Sequence, residues 1–159
     1  MKSQQHLEVD LNDLPGHYAR RIHQIVVALF VQEMGDINVT PVQYSSLQTI
    51  CKSPGIDQGT LARTIGFDTS TIGNVIDRLE SRGLVKREVS PTDKRVRQVT
   101  ATSEGEQLLA KVVPPMLRSQ DLFLEPLPPK DRKEFMRLMH ELIEAHASKG
   151  RGYSLPPSD

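Results

Sequence analysis

Positive charge is concentrated in residues 90–101, whose sequence is SPTDKRVRQVTA. Lys94, Arg95 and Arg97 follow one another closely there, and Asp93 is the acidic side chain beside them. The 159-residue chain carries 20 basic and 20 acidic side chains in total, so this charge is a local excess. Clustered Lys and Arg attract the phosphates of nucleic acid, although a solvated charged face would look the same in a sequence. The secondary structure predicted for this segment and its neighbours is needed to choose between the two interpretations.

Other combinations of residues offer little chemistry. Cys51 is the one cysteine and lies on the apolar side of a predicted helix, which favours packing over redox sensing. His140 and Glu144 share a helix face, but His146 lies about 240° around the helix from His140, which argues against a metal site. The sequence has no glycine-rich phosphate loop, no GxSxG motif and no Cys/His pair at catalytic spacing. We therefore expect no enzyme activity, no metal and no cofactor.

The residues before the cationic segment have the pattern of two short helices. Asp57 is placed to cap the first, and Asp68 is placed to cap a longer second helix that Gly83 closes at the C-cap position. The period then changes, and residues 84–89 and 96–100 are predicted as two strands joined by the SPTDK turn. This order of elements is a winged helix-turn-helix. In that architecture the second helix enters the DNA major groove and a basic wing reaches the backbone or the minor groove.

Longer helices flank these elements. The first is predicted over residues 12–34, with Asp13 as its cap and Gly35 as its end. The sequence TPVQ at 40–43 has the form of a capping box with Pro41 at the first helical position.

After the hairpin, Ser103 and Glu106 are predicted to form a second capping box. Pro114 and Pro115 should kink the helix that follows or make it restart near Met116. A last helix is predicted from about Pro129 to Ala147.

We interpret residues 1–159 as a single, mainly α domain with a small β-hairpin wing. The winged helix-turn-helix module occupies 40–101, dimerisation helices occupy 12–34 and 103–147, and 148–159 form a flexible tail. The wide apolar stripes of the terminal helices lack a large partner in a chain of this size, so burial between two copies is expected. A two-fold dimer would place two recognition helices one turn of DNA apart, which predicts a roughly palindromic operator.

Several stretches of the sequence resemble the multiple-antibiotic-resistance regulator (MarR) family of dimeric winged-helix repressors. They are TPVQYSSLQTI, VIDRLESRGLV, the wing SPTDKRVRQV with TSEG after it, and LPPKDRKEFMRLMHEL. The resemblance spans about residues 12–147. Within the family the chain is most similar to repressors of aromatic or hydroxylated N-heteroaromatic acid breakdown, including nicotinate-pathway regulators.

The resemblance implies roles for the wing residues. Asp93 would hold Arg95 in place, and Arg95 would enter the minor groove. Lys94 and Arg97 would contact phosphates or the edge of the groove.

The resemblance also directs attention to the polar face of the second helix. Ser70, Thr71 and Asn74 could bond phosphates or bases there, although Ser70 and Thr71 could equally support the helix cap. Arg78 is a candidate for phosphate binding or for an ion pair with Asp77 or Glu80. Relatives usually carry a Thr or a similar side chain where this helix has Gly73. The glycine either permits close approach to DNA or has no function.

Family members generally sense a small molecule between the dimer helices and the winged module. The candidate contacts are His17, Arg20, Arg21 and His23 on the first helix and Tyr44 on the second. An Arg pair can bind a carboxylate and a His can bind a ring hydroxyl, which favours an anionic ligand. Dimer salt bridges and packing of the histidines are the alternative.

Together these observations predict a DNA-binding, ligand-responsive homodimeric repressor that leaves its operator when a small aromatic carboxylate binds. The alternatives are a protein–protein interaction module that uses the charged wing, and a redox-sensing regulator that uses Cys51. The longest apolar run, residues 25–31, is far shorter than the roughly 20 residues that a membrane span needs. We expect no membrane partner and a cytoplasmic protein.

Overall fold

The computed structural model of the protein describes residues 9–147. A short 3-10 turn, Leu11–Asp13, precedes the first of six α-helices in this part of the chain. The helices are α1 (Pro15–Met34), α2 (Pro41–Lys52), α3 (Gln58–Ile65), α4 (Thr69–Ser81), α5 (Ser103–Leu124) and α6 (Pro129–Ala147). The strands are β1 (Ile56–Asp57), β2 (Val85–Val89) and β3 (Arg97–Ala101). The predicted mainly helical fold with a hairpin wing is confirmed, whereas the predicted tail, 148–159, lies outside the described residues.

The wing is a sheet of three antiparallel strands in the order β1-β3-β2. β2 and β3 pair from Val85 opposite Ala101 to Val89 opposite Arg97. β1 lies along the other edge of β3, where Ile56 is opposite Val99. β1 was not predicted from the sequence, because two residues are too few to show an alternating pattern.

Four of the predicted helix starts are present: α6 begins at Pro129, and α2, α3 and α4 begin at the expected capping residues. Thr40 and Gln43 form a complete capping box at the start of α2, in which each side chain bonds the backbone N–H of the other residue. Asp57 and Asp68 cap α3 and α4 by accepting a hydrogen bond from the backbone N–H three residues further on. The two helices of the helix-turn-helix are therefore positioned by local side-chain chemistry.

Two other helix ends differ from the prediction by one residue. α1 has Leu14 as its cap residue and lacks a side-chain cap, so Asp13 does not cap it. α4 has Arg82 as its C-cap residue, and Gly83 is the next residue, with a φ of 72°. That left-handed conformation suits glycine and turns the chain directly into the wing.

The start of α5 also differs, because the predicted capping box of Ser103 and Glu106 is not formed. Thr102 is the cap residue, and its hydroxyl oxygen accepts a hydrogen bond from the backbone N–H of Gly105 at 3.1 Å. A side chain on Gly105 would collide with the carbonyl of Leu84. The close approach of α5 to the base of the wing therefore decides where this helix begins.

α5 runs without interruption from Ser103 to Leu124, so the predicted restart near Met116 is wrong. Pro114 and Pro115 lie inside the helix, and Pro115 is buried. Val112, just before the two prolines, is 1% exposed and packs with Phe30 of α1. Packing on both sides of the proline pair supports the continuous helix, and a kink at the two prolines stays a prediction.

The core consists of two apolar clusters. The larger cluster lies inside the winged module and includes Leu47, Ile50, Leu61, Ile72, Ile76, Leu79 and Val99. The smaller cluster joins α1 to α5 and consists of Phe30, Met34, Val39 and Val112. The winged module thus has a core of its own.

The terminal helices leave much of their apolar surface exposed. α6 buries no residue in the protomer, and its Leu142 and Ile143 are 62% and 67% exposed. Ile25 of α1 and Leu117 of α5 are also exposed. Among the helices of residues 9–147, none combines the length and apolar character that crossing a bilayer requires.

Candidate nucleic-acid interface

The turn at the tip of the wing is built around a buried hydroxyl. Ser90 is 5% exposed, and its Oγ accepts hydrogen bonds from the backbone N–H groups of Thr92 and Asp93 at 3.3 and 3.4 Å. The backbone closes the same loop, because Val96 N–H donates to the Asp93 carbonyl at 3.0 Å. The cationic residues are therefore carried on an ordered turn.

The contact expected between Asp93 and Arg95 is present. Asp93 Oδ1 accepts from the backbone N–H and from Nε of Arg95 at 3.0 and 3.2 Å, and Oδ2 accepts from Nη2 at 3.3 Å. These hydrogen bonds hold the pKa of the Asp93 carboxyl below its usual value. The Arg95 side chain is nevertheless 91% exposed. Such an exposed pair adds little to stability, so its main effect is to orient the guanidinium.

Lys94 and Arg97 are exposed beside Arg95. Arg97 opens β3 and lies opposite Val89, the last residue of β2. Three cationic side chains thus project from one end of the hairpin. This end of the molecule can attract a polyanion.

The outer face of α4 presents Ser70 and Asn74 to solvent. Thr71, which was predicted with them, is half-buried, and its hydroxyl donates to Asp68 Oδ2 at 2.5 Å. The two hydrogen bonds from Thr71 lower the pKa of the Asp68 carboxyl. The Thr71 hydroxyl is therefore used as a donor within the helix cap, whereas the side chains of Ser70 and Asn74 lie on the surface.

One contact that was not predicted from the sequence joins the wing to α4. Arg87 of β2 donates from Nε and Nη2 to Glu80 Oε2 at 3.0 and 2.7 Å, and from Nη2 to Asp77 Oδ1 at 2.5 Å. The backbone N–H of Arg87 also donates to Glu80 Oε1 at 3.1 Å. Side-chain hydrogen bonding lowers the pKa of Glu80 and raises that of Arg87.

Arg87 takes both acidic side chains that were considered as partners of Arg78. Arg78 itself is exposed and forms no ion pair within residues 9–147. The available signal was the alternation of the strand, since Arg87 lies two residues after the buried Val85 and so faces inward. Arg78 is thus left available for an external anion.

The five candidate ligand residues fall into two groups in the protomer. His17, Arg20, Arg21 and His23 lie in the first half of α1, where His17 Nδ1 and Arg20 Nη2 are 3.3 Å apart. Tyr44 of α2 instead lies 6.2 Å from the ring of Phe30, in the second half of α1, and burial raises its pKa. Ten residues of helix, about 15 Å, separate Arg20 from Phe30. One protomer does not bring the two groups together.

A groove of about 530 Å³ opens between α1, α5 and the start of α6. Its lining residues are Glu33, Arg118, Asp121, Leu122, Glu125 and Arg132. Arg118 Nε donates to Glu33 Oε2 at 3.0 Å across it. The lining includes none of the five candidate ligand residues, so this groove is distinct from the predicted pocket.

Cys51 is half-buried against the core of the winged module. Burial is the main cause that raises the pKa of its thiol, and the nearby charge of Glu106 adds to the shift. A raised pKa reduces the thiolate fraction at neutral pH, and the thiolate is the reactive form. The environment of Cys51 therefore favours packing over redox sensing.

Known proteins share both the sequence pattern and the fold. Residues 39–96 match the model of the MarR family. The transcriptional regulator HosA of Escherichia coli O111:H- is 34% identical over 129 residues, which cover 81% of this chain and 94% of HosA.

Two solved structures have the same architecture. The PcaV transcriptional regulator of Streptomyces coelicolor, in complex with its natural ligand, is 33% identical, with a TM-score of 0.81 over 86% of this chain and 96% of PcaV. BpsR of Bordetella bronchiseptica, whose DNA binding is regulated by 6-hydroxynicotinic acid, is 26% identical, with a TM-score of 0.81 over 84% of this chain and 96% of BpsR.

Proposed function

This chain belongs to the MarR family of transcriptional regulators, and we propose that it is a homodimeric repressor that releases a palindromic operator when a small aromatic carboxylate binds. Membership of a regulator family also confirms that the chain is not an enzyme. Its site of action would be the cytoplasm, where its operator lies. The alternatives of a protein–protein module and a Cys51 redox sensor have no specific observation in their favour.

The observation that carries the DNA-binding proposal is the tip of the wing. Arg95 is oriented by Asp93 and yet is 91% exposed, with Lys94 and Arg97 beside it. A fixed, exposed guanidinium suits insertion into a narrow minor groove, where the negative potential is strongest. Ser70 and Asn74 would reach the adjacent major groove from α4.

The exposed apolar surface of the terminal helices supports the homodimer. A contiguous apolar patch marks an interaction surface, and a homodimer buries such a patch against its own copy. Two protomers related by a two-fold axis would present two α4 helices to successive major grooves, about 34–36 Å apart.

A ligand site in the dimer would use the cationic half of α1. Arg20 and Arg21 suit a carboxylate, and His17 suits a ring hydroxyl. Because Tyr44 lies at the other end of α1 in the same protomer, a pocket with both groups would be completed by the second copy. Binding of the acid and binding of DNA would oppose each other by linkage.

The test begins with selection of the preferred DNA sequence from a random library, followed by anisotropy titrations at several salt concentrations. We expect a two-fold symmetric site and a steep loss of affinity with salt. Arg95→Ala should weaken binding at least tenfold with an unchanged melting temperature, whereas Lys111→Ala, which removes a positive charge from α5, should bind normally. Absence of DNA binding at low salt, or normal binding by Arg95→Ala, would refute the wing assignment.

The effector is tested with 6-hydroxynicotinic acid and benzoate as probes. A compound that occupies the site should raise the melting temperature and lower the affinity for DNA. Arg20→Ala should abolish both effects and leave DNA affinity in the absence of acid unchanged. Release of DNA from Arg20→Ala at the same acid concentration would refute the assigned carboxylate contact.

A further inference from the structure

We propose that Gln58 of α3 is a DNA-reading residue, whose amide replaces the side chain that the recognition helix α4 lacks at Gly73. The inference rests on the proposed DNA-binding function and adds a residue from outside α4 to the reading surface. Gly73 lies within α4, where glycine is less favourable than alanine, so its presence needs a local reason.

Gly73 lies at the edge of the polar face of α4. Gly73 is half-buried, whereas Ser70 and Asn74 are exposed and Ile72, Val75 and Ile76 face the core. Residues three apart lie about 60° apart around a helix, so a side chain at position 73 would lie beside Ser70, at the border between the polar face and the core.

The amide of Gln58 fills this position. Gln58 is the first residue of α3, and its Nε2 donates to the backbone carbonyl of Thr69 at 3.2 Å. A Cβ added to Gly73 would lie 2.9 Å from Nε2 and 3.8 Å from Cδ of Gln58. The missing side chain of Gly73 thus creates the space in which the Gln58 amide lies against α4.

The Gln58 amide, which lies against α4, retains hydrogen-bonding capacity. One N–H bonds to Thr69, while the second N–H and the oxygen Oε1 have no partner within residues 9–147. A Gln amide can bond the N6 and N7 atoms of adenine at once, and either group alone can bond a phosphate or another base. The bond to Thr69 holds the amide before DNA arrives, which lowers the entropy lost on binding.

Alternatively, Gln58 has only a structural role, in which its hydrogen bond to Thr69 stabilises the packing of α3 against α4. In that case a substitution of Gln58 lowers the melting temperature and leaves the base preference unchanged. If Gln58 contacts a base, the substitution alters the base preference of a protein that remains folded.

The experiment measures base preference by selection from a random DNA library and affinity by anisotropy, with the full chain in each case. Gln58→Ala should bind the wild-type operator about tenfold more weakly, which corresponds to one base contact, and should lose discrimination at one position in each half-site. Gln107→Ala, which removes an exposed amide from α5, should match the wild type in both measurements.

Gly73→Ala provides a second route to the same test, because its methyl group would displace the Gln58 amide without removing it. We expect the same loss of discrimination with a melting temperature equal to or above that of the wild type. The double variant Gln58→Ala/Gly73→Ala should bind no more weakly than the weaker single variant, because each change removes the same contact.

Unchanged base preference in both single variants would overturn the role of Gln58, even if Gln58→Ala lowered the melting temperature. That result is distinct from failure of the proposed function, in which the wild type itself would select no DNA sequence.

Discussion

The winged module and the terminal helices use apolar residues in opposite ways. In the module, Leu61, Ile76 and Val99 are completely buried within the protomer. On α6, Leu142 and Ile143 follow an equally regular helical pattern and remain more than half exposed. Apolar residues at helical spacing therefore form a buried core in one region and an exposed surface in the other. Only the burial seen in the structure distinguishes the two cases.

The two regions also use charge differently. Arg87 joins two elements of the module, since it binds Glu80 and Asp77 of α4 from β2. Arg137 also binds two carboxylates, but both belong to α6, at 2.7 Å each. The first network fixes a tertiary arrangement, whereas the second supports one helix. These contrasts can be tested by matched substitutions in the two regions.

The largest effect is expected in the core of the module. Ile76→Ala should lower the free energy of unfolding by about 2–5 kcal/mol, because it removes a fully buried side chain and leaves a cavity in the cluster. Urea denaturation measures this change. Val89→Ala, at a position that is 49% exposed, should change stability far less. Equal losses in the two variants would show that burial does not determine how much these side chains stabilise the module.

A smaller effect is expected from the exposed apolar face of α6. Leu142→Asp should raise the dimer dissociation constant by at least about 30-fold, since it places a charge in the proposed interface. Sedimentation equilibrium measures the dissociation constant. Val89→Asp puts the same charge on an exposed apolar position of the wing and should leave the dimer intact. A Leu142→Asp variant that dimerises like the wild type would show that α6 does not cover the second copy.

The smallest effect is the difference in stability between variants that remove Arg87 and Arg137. Arg87→Ala should cost about 1–2 kcal/mol, because it breaks several partly shielded hydrogen bonds to carboxylates. Arg137→Ala should have no measurable effect on the unfolding of the protomer, because its ion pairs lie within one exposed helix. Chemical denaturation of both variants in dilute solution provides the comparison, and a greater loss in Arg137→Ala would reverse it.

A pH series checks that the Arg87 effect comes from its carboxylate partners. Arg87 lowers the pKa of Glu80 below its ordinary value of 4.5, so the stabilisation is complete above that pH. It is lost as the pH falls through the lower pKa of the folded state. The difference in stability between wild type and Arg87→Ala should therefore shrink below about pH 4.5. A difference that stays constant down to pH 3 would assign the effect of Arg87 to packing.

Much of the winged module could be predicted because its signals are local. Thr40, Asp57 and Asp68 each cap a helix through a residue three positions away, and the wing turn is made by consecutive residues. Such contacts depend on a few backbone torsions, which the sequence encodes directly. Asp13 resembles a cap in the sequence but lies in a 3-10 turn before Leu14.

The errors in α5 have a tertiary cause. Thr102 was overlooked as its cap because the local pattern favours Ser103, but the Thr102 hydroxyl also donates to the Gly83 carbonyl at 2.6 Å. The proline pair indicated a break, yet packing of the neighbouring residues against α1 keeps the helix continuous. In both places contacts between elements override a local preference.

The sequence by itself determined the order of the helices, the hairpin with its cationic tip and the family, because these follow from residue type and short-range spacing. Tertiary structure alone decided that Arg87 binds α4, that Gln58 fills the space at Gly73, and that Arg20 and Tyr44 are apart in the protomer. Those relations join residues from different elements. Their distances are set by how the elements pack, and no spacing along the chain records them.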